Sequence, residues 1–302
     1  MRRWTANFGL FLLSILGSTV TSSAEAPTST LDRISETGIV RVGYSTESSP
    51  FSYLDGDGKI VGYSIDLCAR IADLLKERLG LSAINVAYVR RTPSDRVALL
   101  KSGDIDIECV ASTNNADRRK SVSFSYPHFM TEVQFVALAA NGLGVVADLE
   151  GRTVASTSGT TVIGELNAHS RERNLNVAVV PTPDHQTGFE LMATGRVAAF
   201  VMDGILLSTM AANAEDPSLY LVSSDPLGPP QPYGLMLRHD DAPFKNAVNE
   251  ALLQMYGTGE VREIYKRWFT MPIPPRGINL HLPMSGALEA VIDNPAADPW
   301  SN

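Results

Sequence analysis

The sequence predicts an α/β protein built as two lobes, and three observations carry that expectation. Strand-like and helix-like segments alternate from Ile39 onward, which implies mixed, mostly parallel sheets flanked by helices. The alternation begins afresh after Val133, with a second set of strands and helices of similar size. Two apolar segments, residues 133–138 and 233–238, then read as strands that cross between the lobes and form a two-strand hinge.

In order along the chain, residues 31–37 predict a short helix and residues 39–44 (IVRVGY) a buried strand. Residues 51–54 and 60–62 flank Asp55-Gly56-Asp57-Gly58, a hairpin turn signal. Ile65, Leu67, Cys68, Ile71, Leu74 and Leu75 recur at helical spacing and predict a helix over 64–79. A strand at 84–89, a helix at 94–101 closed by Gly103 and a strand at 105–110 complete the first half. The second half repeats the pattern. Strands are expected at 133–139, 153–156, 177–180 and 198–202, with helices at 161–173 and 189–194, the latter closed by Gly195. The stretch 98–107 resembles 190–199: helix, glycine stop, charged residue, buried strand. After a strand at 233–237 come helices at 243–256 and 260–269, then a proline-rich tail from about Pro272.

The first residues read as an address. Arg2 and Arg3 precede a short apolar run, FGLFLLSIL, and Ser22-Ser23-Ala24 offers small residues for cleavage, so residues 1–24 are expected to be a secretory signal peptide. The run is shorter than the roughly 20 apolar residues a membrane span needs. No cysteine lies near the cut to take a lipid anchor. Removing this segment takes away two arginines and no acids, moving the formal charge from −8 to −10. An acidic chain with no basic run argues against nucleic acid or an anionic membrane surface as partner. The two cysteines, Cys68 and Cys109, either bridge in an oxidising compartment or sit as buried thiols, and the sequence leaves both readings open.

Catalytic signatures are absent: there is no G-x-S-x-G, no H-E-x-x-H and no P-loop. None of the five histidines pairs with another at metal-ligand spacing, and no cofactor or metal is expected. Gly142 to Ala147 fits G-x-G-x-x-A but leads into Asp148-Leu149-Glu150-Gly151 rather than a long helix. Asp55-x-Asp57 resembles the start of a calcium loop, but Lys59 stands where a ligand oxygen is required, so it reads as a turn. What remains is one polar cluster per half, each just past a strand: Ser112-Thr113-Asn114-Asn115-Ala116-Asp117-Arg118 and Ser156-Thr157-Ser158-Gly159-Thr160-Thr161. Small ligands bind beyond the carboxyl ends of strands in open α/β sheets, and a helix N-terminus there presents N–H donors to a carboxylate. Either cluster alone would serve as helix caps. Arg118 is placed to clamp a carboxylate with its planar fork, and Asp203, at a strand end, either caps the next helix or pairs with an ammonium group.

Several segments in order resemble family 3 of the extracellular solute-binding proteins of ABC transporters, and within it the glutamate/aspartate-binding group. They include Val42-Gly43-Tyr44, Glu47-Ser48-Ser49-Pro50-Phe51-Ser52-Tyr53, Val61-Gly62-Tyr63-Ser64-Ile65-Asp66-Leu67-Cys68, Asp106-Ile107-Glu108-Cys109, Ser112 to Arg118 and Thr157-Ser158-Gly159-Thr160-Thr161. Asp184-His185, Tyr233-Gly234-Leu235-Met236-Leu237-Arg238, Lys266-Arg267-Trp268-Phe269 and Pro272-Ile273-Pro274-Pro275 continue the resemblance. It implies a type II two-lobed clamshell with lobe 1 at 31–134 plus 239–280, lobe 2 at 135–238 and a tail at 281–302. It also implies an exported periplasmic monomer that captures a polar or acidic amino acid and delivers it to a membrane ABC permease complex.

The resemblance puts Arg118 on the ligand α-carboxylate with Thr113 beside it, Thr160 and Thr161 on the second lobe's share of that region, and Asp203 on the α-ammonium. Ser112 and Phe51, within matched segments, complete the contact set. At the ligand's far end, Arg96 and His185 match the glutamate/aspartate group. Ser45, Pro93 and Ala111 depart from it, standing where that group has an arginine and two serines. Arg90 and Arg91 are candidates to compensate, with their direction not fixed by the sequence. The resemblance also admits a dehydratase acting on cyclohexadienyl acids, with His185 as the acid or base, and a ligand sensor that docks on a receptor.

Overall fold

The computed structural model describes residues 29–295, together with Met1; the expected signal peptide and the last residues of the tail lie outside the described residues. The first sheet-forming run is α1 (Thr30–Thr37), β1 (Ile39–Tyr44), β2 (Glu47–Ser48), β3 (Ser52–Leu54), β4 (Ile60–Val61), α2 (Tyr63–Arg78), β5 (Asn85–Arg90), α3 (Arg96–Ser102), β6 (Ile107–Glu108), α4 (Ala116–Arg119) and β7 (Val122–Thr131). The second is β8 (Val133–Leu138), β9 (Thr153–Thr157), α5 (Val162–Arg173), β10 (Ala178–Thr182), α6 (His185–Ala193), β11 (Ala199–Asp203), α7 (Gly204–Ala212) and β12 (Tyr220–Val222). The chain then returns through β13 (Gln231–Arg238) and ends in α8 (Ala242–Thr258), α9 (Glu260–Phe269) and α10 (Gly286–Asp293).

Two five-stranded sheets result, ordered β5-β1-β6-β13-β7 and β10-β9-β11-β8-β12, beside a small sheet β2-β3-β4. Each large sheet has the same plan. Three parallel strands lie side by side, with the chain-first strand (β1 or β9) between its two successors. An antiparallel pair completes the sheet. The weak internal resemblance seen in the sequence has a structural meaning, because 98–107 and 190–199 both lead from a helix into the third parallel strand. Gly103 and Gly195 both take positive φ, 76° and 70°, beyond those helices, a conformation that favours glycine.

The crossings differ from the sequence expectation. β7 lies in the first sheet and β8 in the second, so the chain crosses at Glu132 between them. The return was expected along 233–238, but β13 pairs with β7 from Gln231 to Arg238 and belongs wholly to the first sheet. The chain therefore passes back in residues 223–230, ahead of that strand, and the boundary expected at 238 moves earlier. The ten-residue β7 was not anticipated, because Pro127 and the polar Ser123, Ser125 and His128 interrupt its apolar pattern. The expected tail at 281–302 also changes character. Ser285 caps α10 through its side chain, and Leu288 and Ile292 are buried as that helix packs on β7 and α8.

α2 follows its apolar stripe: Ile65, Leu67, Cys68, Ile71, Leu74 and Leu75 are all buried. Its start requires Gly62, at φ 142°, because a Cβ there would stand 2.1 Å from the Phe51 carbonyl oxygen. Beneath the cleft an aromatic cluster joins β7, β13 and α9. The Phe51 and Phe129 ring centres are 4.9 Å apart, and those of Tyr265 and Phe269 are 4.3 Å apart. His128 lies inside this cluster with neither ring nitrogen hydrogen-bonded among the described residues, and burial pushes its pKa down to about 3, so the ring is neutral. The Asp55 turn uses its own carboxylate, which accepts from the backbone of Asp57 and Lys59 at 3.0 and 2.9 Å. No helix among the described residues is long and apolar enough to cross a membrane.

Cys68 and Cys109 form a disulfide, which decides between the two readings left open by the sequence. It ties α2 to the residue that follows β6, the strand whose end carries Glu108 and the Ser112 to Arg118 cluster. The bridge spans 41 residues of chain, a loop for which constraint of the unfolded state is worth about 2–4 kcal/mol. Replacing both cysteines with serine should lower unfolding free energy by that amount in a urea titration. An unchanged midpoint would show that the bridge adds nothing to the native balance.

Candidate functional site

Five of the six parallel strands end on the same crevice between the two sheets. Arg91 follows β5, the Thr113 loop follows β6, Thr160 and Thr161 follow β9, His185 follows β10, and Asp203 ends β11. This is where the loops of open α/β sheets carry function, since the strands hold them rigidly. A narrow cavity is lined there by Arg91, Arg96, Thr113, Arg118, Thr161, His185 and Asp203, among others. A larger groove of about 370 Å³ lies beside the hinge, walled by Phe129, Gln134, Ile205 and Leu280. The smaller cavity, however, is where the charged groups converge.

At one end of the cavity sit Arg118 and Asp203. Asn115 begins α4, and its side chain accepts from the Arg118 backbone N–H at 3.0 Å. The short helix turns the Arg118 guanidinium inward, where Nη1 donates to the Thr113 carbonyl at 3.0 Å. Asp203 is buried and makes no side-chain cap to α7, which removes the capping alternative for that residue. Burial pushes its carboxyl up to about 6, against the opposing pull of the Tyr233 hydroxyl and of Arg118 and Arg96. Across from them, α5 begins at Val162. Thr161 at its N-cap makes no side-chain cap bond, and the Thr160 hydroxyl donates to the Thr157 carbonyl at 2.7 Å. Thr160 and Thr161 line the same cavity ahead of α5, whose N-terminus favours an anion.

Arg91 and His185, which follow the edge strands β5 and β10, line the cavity together with Arg96, and Pro93 and Ala111 there supply no polar side chain. The His185 ring is tied through Nδ1 to the Thr157 hydroxyl at 2.8 Å. Burial first, then the positive charges of Arg91 and Arg96, push its pKa down to about 3, so it is neutral. Arg96 donates to the Ser112 hydroxyl at 3.0 Å and to the Gly159 carbonyl at 2.7 Å. Burial and nearby Arg118 pull Arg96 down to about 9 while Glu108 opposes them, leaving it charged at neutral pH.

Behind both ends lies Glu108, with no exposure to solvent. Its carboxylate is 2.7 Å from Arg91 Nε and 3.8 Å from Arg96 Nη1, and accepts the Ser112 hydroxyl proton at 2.5 Å. Burial alone would raise its pKa, but the two guanidiniums more than offset this and hold it below the usual carboxylate range. The guanidiniums of Arg91 and Arg96 thus share the buried carboxylate of Glu108, while Arg118 and Asp203 line the cavity with them.

The lobes touch across this cavity. Gly159 sits so close to the opposite lobe that a Cβ on it would stand 2.6 Å from the Pro93 carbonyl oxygen. From the first lobe, the Glu47 carboxylate accepts from the His185 and Gln186 backbone N–H groups at 3.3 and 3.2 Å, capping α6 alongside its own Asp184. Gln231 of β13 donates to Glu165 of α5 at 2.6 Å. These are contacts of a closed arrangement.

Of the residues singled out from sequence, Arg96, Thr113, Arg118, Thr160, Thr161, His185 and Asp203 line one cavity. Three do not. Ser112 is spent on Glu108 and Arg96, one layer back. Phe51 is buried in the aromatic cluster. Ser45 is buried, and its hydroxyl accepts from Ser48 Oγ at 2.9 Å and the Glu47 N–H at 3.2 Å, fixing the loop after β1. Sequence reasoning missed Glu108 and Glu47 and left Arg91 unplaced. Strand alternation sets Arg90 and Arg91 on opposite faces without saying which is inward, and in the structure Arg90 is exposed and Arg91 buried.

Comparison with known proteins agrees with this geometry. Residues 40–271 match the bacterial extracellular solute-binding proteins, family 3. The chain is 38% identical over 276 residues to the L-glutamate/L-aspartate-binding protein of Pseudomonas aeruginosa, covering 90% of each chain. It is 33% identical over 273 residues to the glutamate/aspartate import solute-binding protein of Escherichia coli, again covering 90% of each. Among solved structures, an ancestral amino-acid-binding protein, a precursor of cyclohexadienyl dehydratase, superposes with a TM-score of 0.68 at 26% identity, covering 80% of this chain and all of that one. The fold is that of the type II amino-acid-binding clamshell. With a family match over most of its length and relatives above 30% identity along nine-tenths of it, the chain belongs to family 3 of the bacterial extracellular solute-binding proteins.

Proposed function

We propose that this chain is the exported, substrate-capturing component of an amino-acid ABC transporter, holding one polar or acidic amino acid between its lobes. The observation that carries the reading is the pairing of Arg118 and Asp203 at one end of an inter-lobe cavity. A guanidinium fork matches an α-carboxylate bidentately, and a desolvated carboxylate matches an α-ammonium. The glutamate/aspartate specificity of the two relatives supports an acidic ligand. Ligand in the cleft stabilises the closed arrangement, and the closed monomer is the form offered to a membrane permease. A ligand that binds only the closed form shifts the equilibrium by its differential affinity.

One observation favours a second reading, dehydration of a cyclohexadienyl acid: Asp203, near pKa 6, is able to exchange a proton in the cleft. Such an acid, incubated with the protein, would then be converted to an aromatic product detectable by its absorbance. A ligand bound and released unchanged supports capture alone.

Two outcomes test the main reading. Arg118→Ala should weaken L-glutamate or L-aspartate binding by about a hundredfold or more, as truncating one partner of a desolvated charge pair costs about 2–5 kcal/mol. Arg118→Lys should recover only part of that loss, read by calorimetric titration. Wild-type affinity in Arg118→Ala would place the clamp elsewhere. The second outcome concerns pH. Because the ammonium partner requires ionised Asp203, binding is at full strength above the carboxyl's pKa of about 6 and weakens below it. The loss approaches tenfold per pH unit. Asp203→Asn should bind more weakly and lose this pH dependence. A wild-type affinity that is flat from pH 7 to pH 4.5 would remove Asp203 from the ammonium site.

A further inference from the structure

We propose that Arg91 is the residue that selects a ligand bearing a second, distal anionic group, so that the cleft prefers an acidic amino acid to its amide. The proposal rests on the reading that Arg118 and Asp203 hold the α-groups, and it assigns the opposite end of the same cavity.

Arg91 is placed by the sheet. Its backbone N–H donates to the Tyr44 carbonyl at 3.0 Å, extending the β1–β5 ladder by one residue. Alternation then turns its side chain inward, where it is only 4% exposed and forms part of the cavity wall. Its partner is Glu108, 2.7 Å from Nε, yet the Nε–H does not point along that contact in hydrogen-bond geometry. Nε is thus buried without a hydrogen-bond partner among the described residues, and the guanidinium is held at the cavity wall by charge alone. A buried guanidinium placed in this way is ready to take an acceptor from a ligand.

The order of charges along the cavity says which part of the ligand that acceptor is. Strand order sets Arg91, after the edge strand β5, and His185, after the edge strand β10, apart from the Arg118 loop after β6 and from Asp203 at the end of β11. Arg91 therefore stands with His185 at the end away from the α-groups. Glu47, the other nearby acid, is occupied by the N–H groups that open α6. Pro93 and Ala111 add no polar side chain at this end. A distal carboxylate thus meets the donors of Arg91 and Arg96. A distal amide would set its own NH2 donors against guanidiniums that have no acceptor to give.

The opposing account is that Arg91 serves only as counter-ion to Glu108. Titrating Arg91→Met and Arg91→Lys with L-glutamate, L-aspartate, L-glutamine and L-asparagine separates the two. Methionine removes the charge. Lysine keeps a charge against Glu108 and so guards against a variant that fails to fold, while losing the planar fork. In both variants acid affinity should fall by about tenfold or more while amide affinity changes by less than about threefold, which narrows or inverts the acid-to-amide ratio. Acid and amide affinities that fall together, or acid affinities that do not change, would overturn the assignment while leaving the Arg118 anchor standing. A wild-type protein that binds none of the four would overturn both.

Discussion

The cleft depends on a carboxylate that water cannot reach. An unpaired buried carboxylate would cost several kcal/mol, and Glu108 avoids this by drawing two guanidiniums and a serine hydroxyl onto itself. That pairing does more than neutralise Glu108. It fixes the Arg96 fork, which spans Ser112 on its own lobe and Gly159 on the other. It also holds Arg91 in the cavity wall. The disulfide from Cys68 anchors the residue next to Glu108 to α2, so the charge cluster sits on a strand end that is covalently braced. Glu108 and Ser112 hold these donors through the protein's own groups, and little ordering is then needed on binding.

Closure follows from the same arrangement. Arg96 and Arg118 both reach the Gly159 carbonyl, at 2.7 and 3.5 Å, so the cations that line the cavity also contact the opposing lobe. Gly159 has no side chain to keep Pro93 away, and a larger residue at this positive φ of 76° would hold the lobes apart. Glu47 adds a second tie, through the N-terminus of α6, where the helix dipole favours a carboxylate. The crossings at Glu132 and in residues 223–230 are brief, leaving the interface contacts and the ligand to set the balance between open and closed.

Much of this was legible in the sequence, and the reasons it was legible are local. The apolar stripe of α2, the glycine stops at Gly103 and Gly195 and the alternating strands gave the α/β plan, because helix and strand periods are short-range. The polar clusters past β6 and β9 pointed to the site because strand ends carry it. Long-range features were not legible. β7, with Pro127 and His128 inside it, is a strand because β13 pairs with it more than a hundred residues later. Ser45 lies between two matched segments and Phe51 within one, but they are consumed by the loop after β1 and by the aromatic core. Arg91 could be recognised as facing inward only once β5 had a register against β1.

The central claim is that the ligand's α-carboxylate and α-ammonium are gripped separately, by Arg118 and by Asp203, within one closed cavity. Deleting each handle from the ligand rather than from the protein tests this most directly. L-glutamate, glutarate, which lacks the ammonium, and γ-aminobutyrate, which lacks the α-carboxylate, should be titrated calorimetrically against the unaltered protein at neutral pH. The account predicts that each analogue binds at least about a hundredfold more weakly than L-glutamate, as expected when one member of a desolvated charge pair is missing. Glutarate or γ-aminobutyrate binding within tenfold of L-glutamate would contradict it.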